Sequence, residues 1–370
     1  MMNDGLEIKR NPALDIIRCV AFALVISVHF ALNSGFYDLP VKGGRMYVMT
    51  LIRTGSMICV PLFLVLTGYL MCNKHLNRSF YFKGIKTIII YVMASITCIV
   101  FRNYYLEEGV SFLSAVKGLF DFSDAPYSWY IEMYIGLFVF IPFLNVMYNN
   151  LKSKKQKQCL LLTLLFLTSL SGIINIYNLN SLKWWCQPGL SSEYYQLIPE
   201  WWTEIYPLTY YFFGAYIREY GFNIKKSINL ILLIMSVVIF GTFNYWRSYS
   251  VCFVWGEWQS WGSMFNVIMT ILVFVLLLHV DWMRLPMSVK RVINTLSDCC
   301  LGAYLVSWIF DKIFYGKLIE VVPDIVKRMD YYIMIVPVII VCSLVLSYML
   351  SMLYKLLCKI KKVFCQLSLQ

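Results

Sequence analysis

Charged side chains are scarce in this chain: Asp, Glu, Lys and Arg supply 14% of its 370 residues, where a soluble domain carries about 25%. That shortage excludes an independent soluble domain. Twelve cysteines are present, with no CxxC pair and no Cys/His spacing of a metal site, so no metal centre is expected. Cys186 and Cys252 fall in loops between apolar stretches. They are either a disulfide or two unrelated thiols. No cleavable leader is apparent, because the first apolar stretch is long and contains Asp15, Arg18 and His29. No repeat, low-complexity run or linker divides the chain, which predicts one domain over 1–370 and no fused soluble domain.

What the chain has instead is apolar surface: 60% hydrophobic residues and a mean hydropathy of +0.66. Ten stretches come close to the roughly 20 residues a helix needs to cross a bilayer. They lie at about 14–33, 47–72, 82–102, 127–148, 159–179, 203–221, 227–246, 259–280, 292–316 and 331–356. The expected fold is therefore an all-α integral membrane protein, with membrane lipids as its surroundings. Val110–Phe122 is apolar but too short to span, and reads as an interfacial or re-entrant piece. The net charge of +12 invites a nucleic-acid reading. Its placement argues otherwise. Lys9, Arg10, Lys74, Arg78, Lys83, Lys86, the Lys152–Lys157 cluster, Arg284 and Lys355 all fall on one side of the ten-span layout. That is the positive-inside pattern, so both termini are expected in the cytoplasm and no nucleic acid is expected as a partner.

The first span carries the most informative pair. Arg18 and His29 are 11 residues apart, about three helical turns, so they share one face roughly 16 Å apart. Ionisable groups inside a span are costly and usually mark a site, and histidine is the side chain suited to moving protons near neutral pH. Asp15 is placed three residues from Arg18 to pair with it. Counting residues from span ends puts His29, Arg53 and Glu132 at one depth on three helices. Convergence makes His29 the candidate base, Arg53 an oxyanion donor and Glu132 the carboxylate that orients the imidazole; the plainer alternatives are a packed His29 bonded to a backbone carbonyl, Arg53 snorkelling outward and Glu132 as a structural partner for Arg53. Nine of the eleven tryptophans, among them Trp129, Trp201 and Trp202, fall in loops or span ends on the side opposite the termini. They fit an interfacial aromatic belt or, with Glu193, Glu200 and Glu204, a platform that stacks on sugar rings.

Arg18 and His29 match the Arg-x10-His signature of the acyltransferase-3 superfamily, and other segments resemble that family in order. Val60-Pro-Leu-Phe-Leu-Val-Leu-Thr-Gly-Tyr-Leu is similar to its VPLFF-x-[ST]-G-[FY]-L stretch, and Phe80-Tyr-Phe-Lys-Gly-Ile-Lys to its basic entry into the third span. Ser128-Trp-Tyr-Ile-Glu-Met-Tyr-Ile-Gly-Leu with Ile141-Pro-Phe-Leu, Phe212-Phe-Gly-Ala-Tyr and Gly302-Ala-Tyr-Leu resemble later segments, so the likeness covers about 10–350. Many members carry further histidines where this chain has Tyr127/Ser128 and Ser307; the departures bear on acceptor choice.

The resemblance implies a multi-pass enzyme of the bacterial inner membrane that acylates surface polysaccharide. It implies no bound cofactor, with an acyl-CoA, expected to be acetyl-CoA, as donor substrate and a carbohydrate hydroxyl as acceptor. Arg18 with Asp15 would meet the donor at its entrance, assisted by Lys83 and Lys86; Trp129, Trp201 and Trp202 would hold the sugar. Two rivals from other classes are a transporter or flippase of lipid-linked saccharide, and an assembly partner whose histidine is incidental. The absence of half-to-half symmetry counts against the first.

Overall fold

The computed structural model describes residues 10–191 and 194–367; Lys9 and Glu193 lie outside them. Helix dominates. The long segments are α1 (Pro12–Asn33), α2 (Gly43–Ser56), α3 (Cys59–Met71), α4 (Arg78–Tyr104), α5 (Phe112–Phe120), α6 (Trp129–Asn150) and α7 (Lys154–Thr168). Two short helices follow, α8 (Ser171–Ile174) and α9 (Leu182–Cys186), then α10 (Tyr206–Tyr220), α11 (Lys226–Arg247), α12 (Met264–His279), α13 (Met287–Val321), α14 (Ile325–Arg328) and α15 (Tyr332–Leu367). Among the described residues the extended chain amounts to one isolated bridge, Val41 with Tyr249. The all-α membrane architecture expected from composition is the one found.

Local chemistry explains the boundaries. Asn11 caps α1 through its side chain on the Ala13 N–H at 3.0 Å, with Pro12 in the first turn and Asp15 near the positive end of the helix. Ser153 and Gln156 close a reciprocal capping box on α7. Pro207 opens α10, where its missing N–H has no helical partner to lose.

Among the described residues, eight segments are long and apolar enough to cross a membrane, against the ten expected. The expected 47–72 span is two helices, α2 and α3, separated at Met57 and Ile58. The other two expected spans become 15-residue helices, α7 and α10. The 159–179 stretch is interrupted at Ser169, beyond which only the single turn α8 continues. Helix α5 keeps Phe112, Leu113 and Phe120 exposed, as an interfacial piece would. Cys186 and Cys252 are both free thiols.

The family-like glycines are helix crossings. A Cβ on Gly68 of α3 would sit 1.9 Å from the Tyr211 carbonyl oxygen, and one on Gly214 of α10 would sit 2.1 Å from the Val65 carbonyl oxygen. Backbones that close admit only hydrogen at both positions. Asn145 of α6 fixes the same corner: its amide donates to the Met71 and Lys74 carbonyls at 2.8 and 2.7 Å, and its oxygen accepts from Tyr211 at 2.6 Å. These contacts lock α3, α6 and α10 together, and α1 packs against α3 and α13. Helices α1, α3, α6 and α13 surround the candidate site.

Candidate functional site

His29 is 8% exposed on α1. Its Nδ1 lies 3.2 Å from Oδ2 of Asp311 on α13, although the N–H is off line for a hydrogen bond. Nε2 makes no hydrogen bond among the described residues and is not among the sealed polar atoms, so it is the nitrogen open to an incoming group. The Tyr127 ring sits 3.9 Å from the imidazole centroid, and its hydroxyl donates to Asp311 Oδ2 at 2.7 Å. Asn33, one turn beyond His29, donates to the His29 carbonyl at 2.9 Å and reaches Asp311 Oδ2 at 3.5 Å. Burial, and then the charge of Asp311, raise the Tyr127 phenol far above its usual range, so it stays a neutral donor. Tyr127 is itself held from behind, because the Tyr304 hydroxyl donates to its carbonyl.

Asp311 takes the position the sequence reading gave to Glu132. On α6, Ile131 and Tyr130 are buried while Glu132 is exposed and touches neither His29 nor Arg53. Matching depth along two helices does not fix which way each faces. The same depth argument applies to Asp311, about five residues below the end of the 292–316 span, and an acidic residue inside a span was a legible signal. Ser307, one turn earlier on α13, is fully buried and donates to the Tyr304 carbonyl at 2.8 Å. Both departures from the family pattern thus lie in this cluster.

Two cavities lie along α1 and α6, and His29 lines neither. One, of about 170 Å³, is lined by Arg18, Val25, Val60, Phe63, Tyr130 and Tyr304. The other, of about 790 Å³, is lined by Val28, Arg53, Trp129, Glu204, Trp255 and Trp261. Neighbouring residues of the same helix face different cavities: Val25 against Val28 on α1, and Tyr130 and Tyr134 against Trp129 and Met133 on α6. The start of α6 therefore has one cavity on each face, and on α1 His29 follows Val28 of the larger cavity and lies one turn beyond Val25 of the smaller.

At the far end of the smaller cavity, Arg18 donates to Ser297 at 2.6 Å. Asp15, 2% exposed, lies 3.6 Å from Arg18 but pairs more closely with Arg10, at 2.5 Å, and also accepts from Ser297 at 2.7 Å. The sequence anticipated the Arg18 pairing and missed Arg10, which lies outside the span. Lys83 and Lys86 are exposed on α4, and Lys83 stands one turn before Thr87, a wall residue of that cavity.

Six of the tryptophans fall into three pairs. Trp129 stacks on Trp261, centroids 5.7 Å apart, in the larger cavity. Trp184 and Trp258 are buried on either side of Arg247, whose guanidinium donates to the Pro188 and Ser191 carbonyls and so rivets the long loop to the bundle. Trp201 and Trp202 are exposed and line neither cavity.

His29 and Asp311 form a buried imidazole–carboxylate pair inside a helical membrane bundle. A family model described as an acyltransferase domain matches residues 11–352. The chain belongs to the acyltransferase-3 family and is a multi-pass membrane acyltransferase. No curated protein and no solved structure matches it.

Proposed function

We propose that this acyltransferase moves an acyl group, acetyl in the simplest case, from cytoplasmic acyl-CoA to a hydroxyl of a surface or lipid-linked saccharide, with His29 as general base. The observation that carries this reading is the buried His29–Asp311 pair, which on α1 lies one turn beyond Val25 of a narrow cavity marked by Arg18 and next to Val28 of a wide one lined by Trp129, Trp255 and Trp261. With the basic loops facing the cytoplasm, the Arg18 cavity opens toward the donor and the larger one toward the acceptor.

The narrow, mostly apolar slot suits a pantetheine arm, while Arg18, Lys83 and Lys86 near its mouth suit the donor's phosphates. His29 Nε2 removes the proton from the acceptor hydroxyl as that oxygen attacks the thioester carbonyl. Collapse of the tetrahedral intermediate expels the CoA thiolate, which takes the proton back from the imidazolium. The products are the sugar ester and free CoA. Asp311, beside Nδ1, favours the tautomer that leaves Nε2 basic and then stabilises the imidazolium. Tyr127 and Asn33 hold Asp311 in place, and such hydrogen bonds tighten when substrate is bound.

The test uses the full chain in membranes with radiolabelled acetyl-CoA and mass spectrometry of surface glycans from cells with and without it. Label passing to glycan, and an ester mass increment lost with the chain, support the reading. Glycans identical in both strains overturn it.

A further inference from the structure

Arg53 differs from the other buried charges. Asp15 is answered by Arg10, Lys157 by Glu219 at 2.6 Å, Arg247 by two backbone carbonyls and Arg328 by three. Arg53 is 1% exposed, with no carboxylate within ion-pair distance among the described residues. Its one hydrogen bond runs from Nε to the Tyr37 hydroxyl at 3.2 Å, and its guanidinium lies 4.7 Å from the Phe253 ring and 5.0 Å from that of Trp255. Nη2 is sealed and unpartnered beside a void of about 10 Å³ that Gln259, with its own unpartnered oxygen, also lines. That void has room for about one bridging water. Nη1 has no partner and is not among the sealed atoms, and Arg53 lines the large cavity. The open nitrogen therefore belongs to the cavity.

An unpaired cation at this depth is destabilising, and the rings beside it supply only part of what a carboxylate would. Glu204 and Glu257 line the same cavity without reaching Arg53. The space between them is polarised, positive at Arg53 and negative at the two glutamates. A neutral sugar could accept a hydrogen bond from Nη1 but would leave the positive charge unpaired.

We propose that the large cavity selects an acceptor bearing an anionic group, the carboxylate of a uronic acid unit, which pairs with Arg53 while ring hydroxyls donate to Glu204 and Glu257. This rests on the reading of that cavity as the acceptor site and adds the substrate's charge to it. The two ends of opposite sign orient the ring, so Arg53 governs which hydroxyl is presented toward α1, where Val28 lines the cavity next to His29.

The test titrates the full chain in nanodiscs with methyl glucuronide, methyl glucoside and methyl glucoside 6-phosphate, read by tryptophan emission, since Trp129, Trp255 and Trp261 line the cavity. The glucuronide is expected to bind about tenfold more tightly than the glucoside, a preference that shrinks as salt is raised. Arg53→Gln abolishes the preference and Arg53→Lys keeps part of it. Equal binding of glucuronide and glucoside, or no saturable binding of any probe, overturns the proposal. Tighter binding of the phosphate ester overturns the assignment of the anion as a carboxylate. Transfer from labelled acetyl-CoA is measured on the same preparation. A preserved glucuronide preference without any transfer sinks the acyl-transfer reading and leaves the charge selection standing. If Arg53→Gln lowers kcat equally for both sugars with binding unchanged, Arg53 serves the oxyanion and the proposal falls.

Discussion

The two cavities on opposite faces of the start of α6 are built from opposite materials. The one at Arg18 is small, about 170 Å³, with a cation at one end and valine, phenylalanine, leucine and tyrosine along its length. The one at Arg53 is about 790 Å³ and carries three tryptophans, two glutamates and an arginine. A slot of the first kind recognises a chain by its width and its charged head. A bowl of the second kind recognises flat rings and hydroxyls and can be retuned residue by residue. On the proposed reading, the contrast assigns donor and acceptor selection to separate side chains and the chemistry to His29 and Asp311.

The strongest test strikes those shared groups. His29→Asn is expected to lower acyl transfer by about 10² to 10⁴-fold for every donor and acceptor pair, measured as initial rates in membranes where insertion has been verified. A rate near that of the wild type would remove His29 from the chemistry. Asp311→Asn should follow, with kcat reduced on the order of 10²-fold and both KM values nearly unchanged. A change confined to KM would make Asp311 a packing residue.

Smaller effects separate the cavities. Thr67→Phe fills the Arg18 slot, and the KM for acetyl-CoA should rise about tenfold while that for the acceptor stays put. Trp129→Ala does the reverse, raising acceptor KM about fivefold through loss of a stacking face. If either variant shifts both constants together, the two cavities are not independent. The smallest effect belongs to Trp201→Ala. That ring is 89% exposed outside both cavities, and transfer to the acceptor should stay within about twofold of wild type. A large loss there would extend the acceptor surface onto the loop.

The order of apolar stretches, their lengths and the basic loops determined the helical membrane class before any coordinates, since hydrophobic length and period are local properties of the chain. The Arg18–His29 face was equally legible, because both residues ride one helix and 3.6 residues per turn fix their alignment. Tertiary structure alone decided that Asp311, and not Glu132, stands beside His29. It also chose Trp129, Trp255 and Trp261 for the cavity and left Trp201 and Trp202 outside. Depth within a span is readable from sequence, but the rotation of one helix against another is set by packing. Here that rotation is fixed where Gly68 meets the Tyr211 carbonyl and Gly214 meets that of Val65, contacts between residues more than 140 positions apart in the chain.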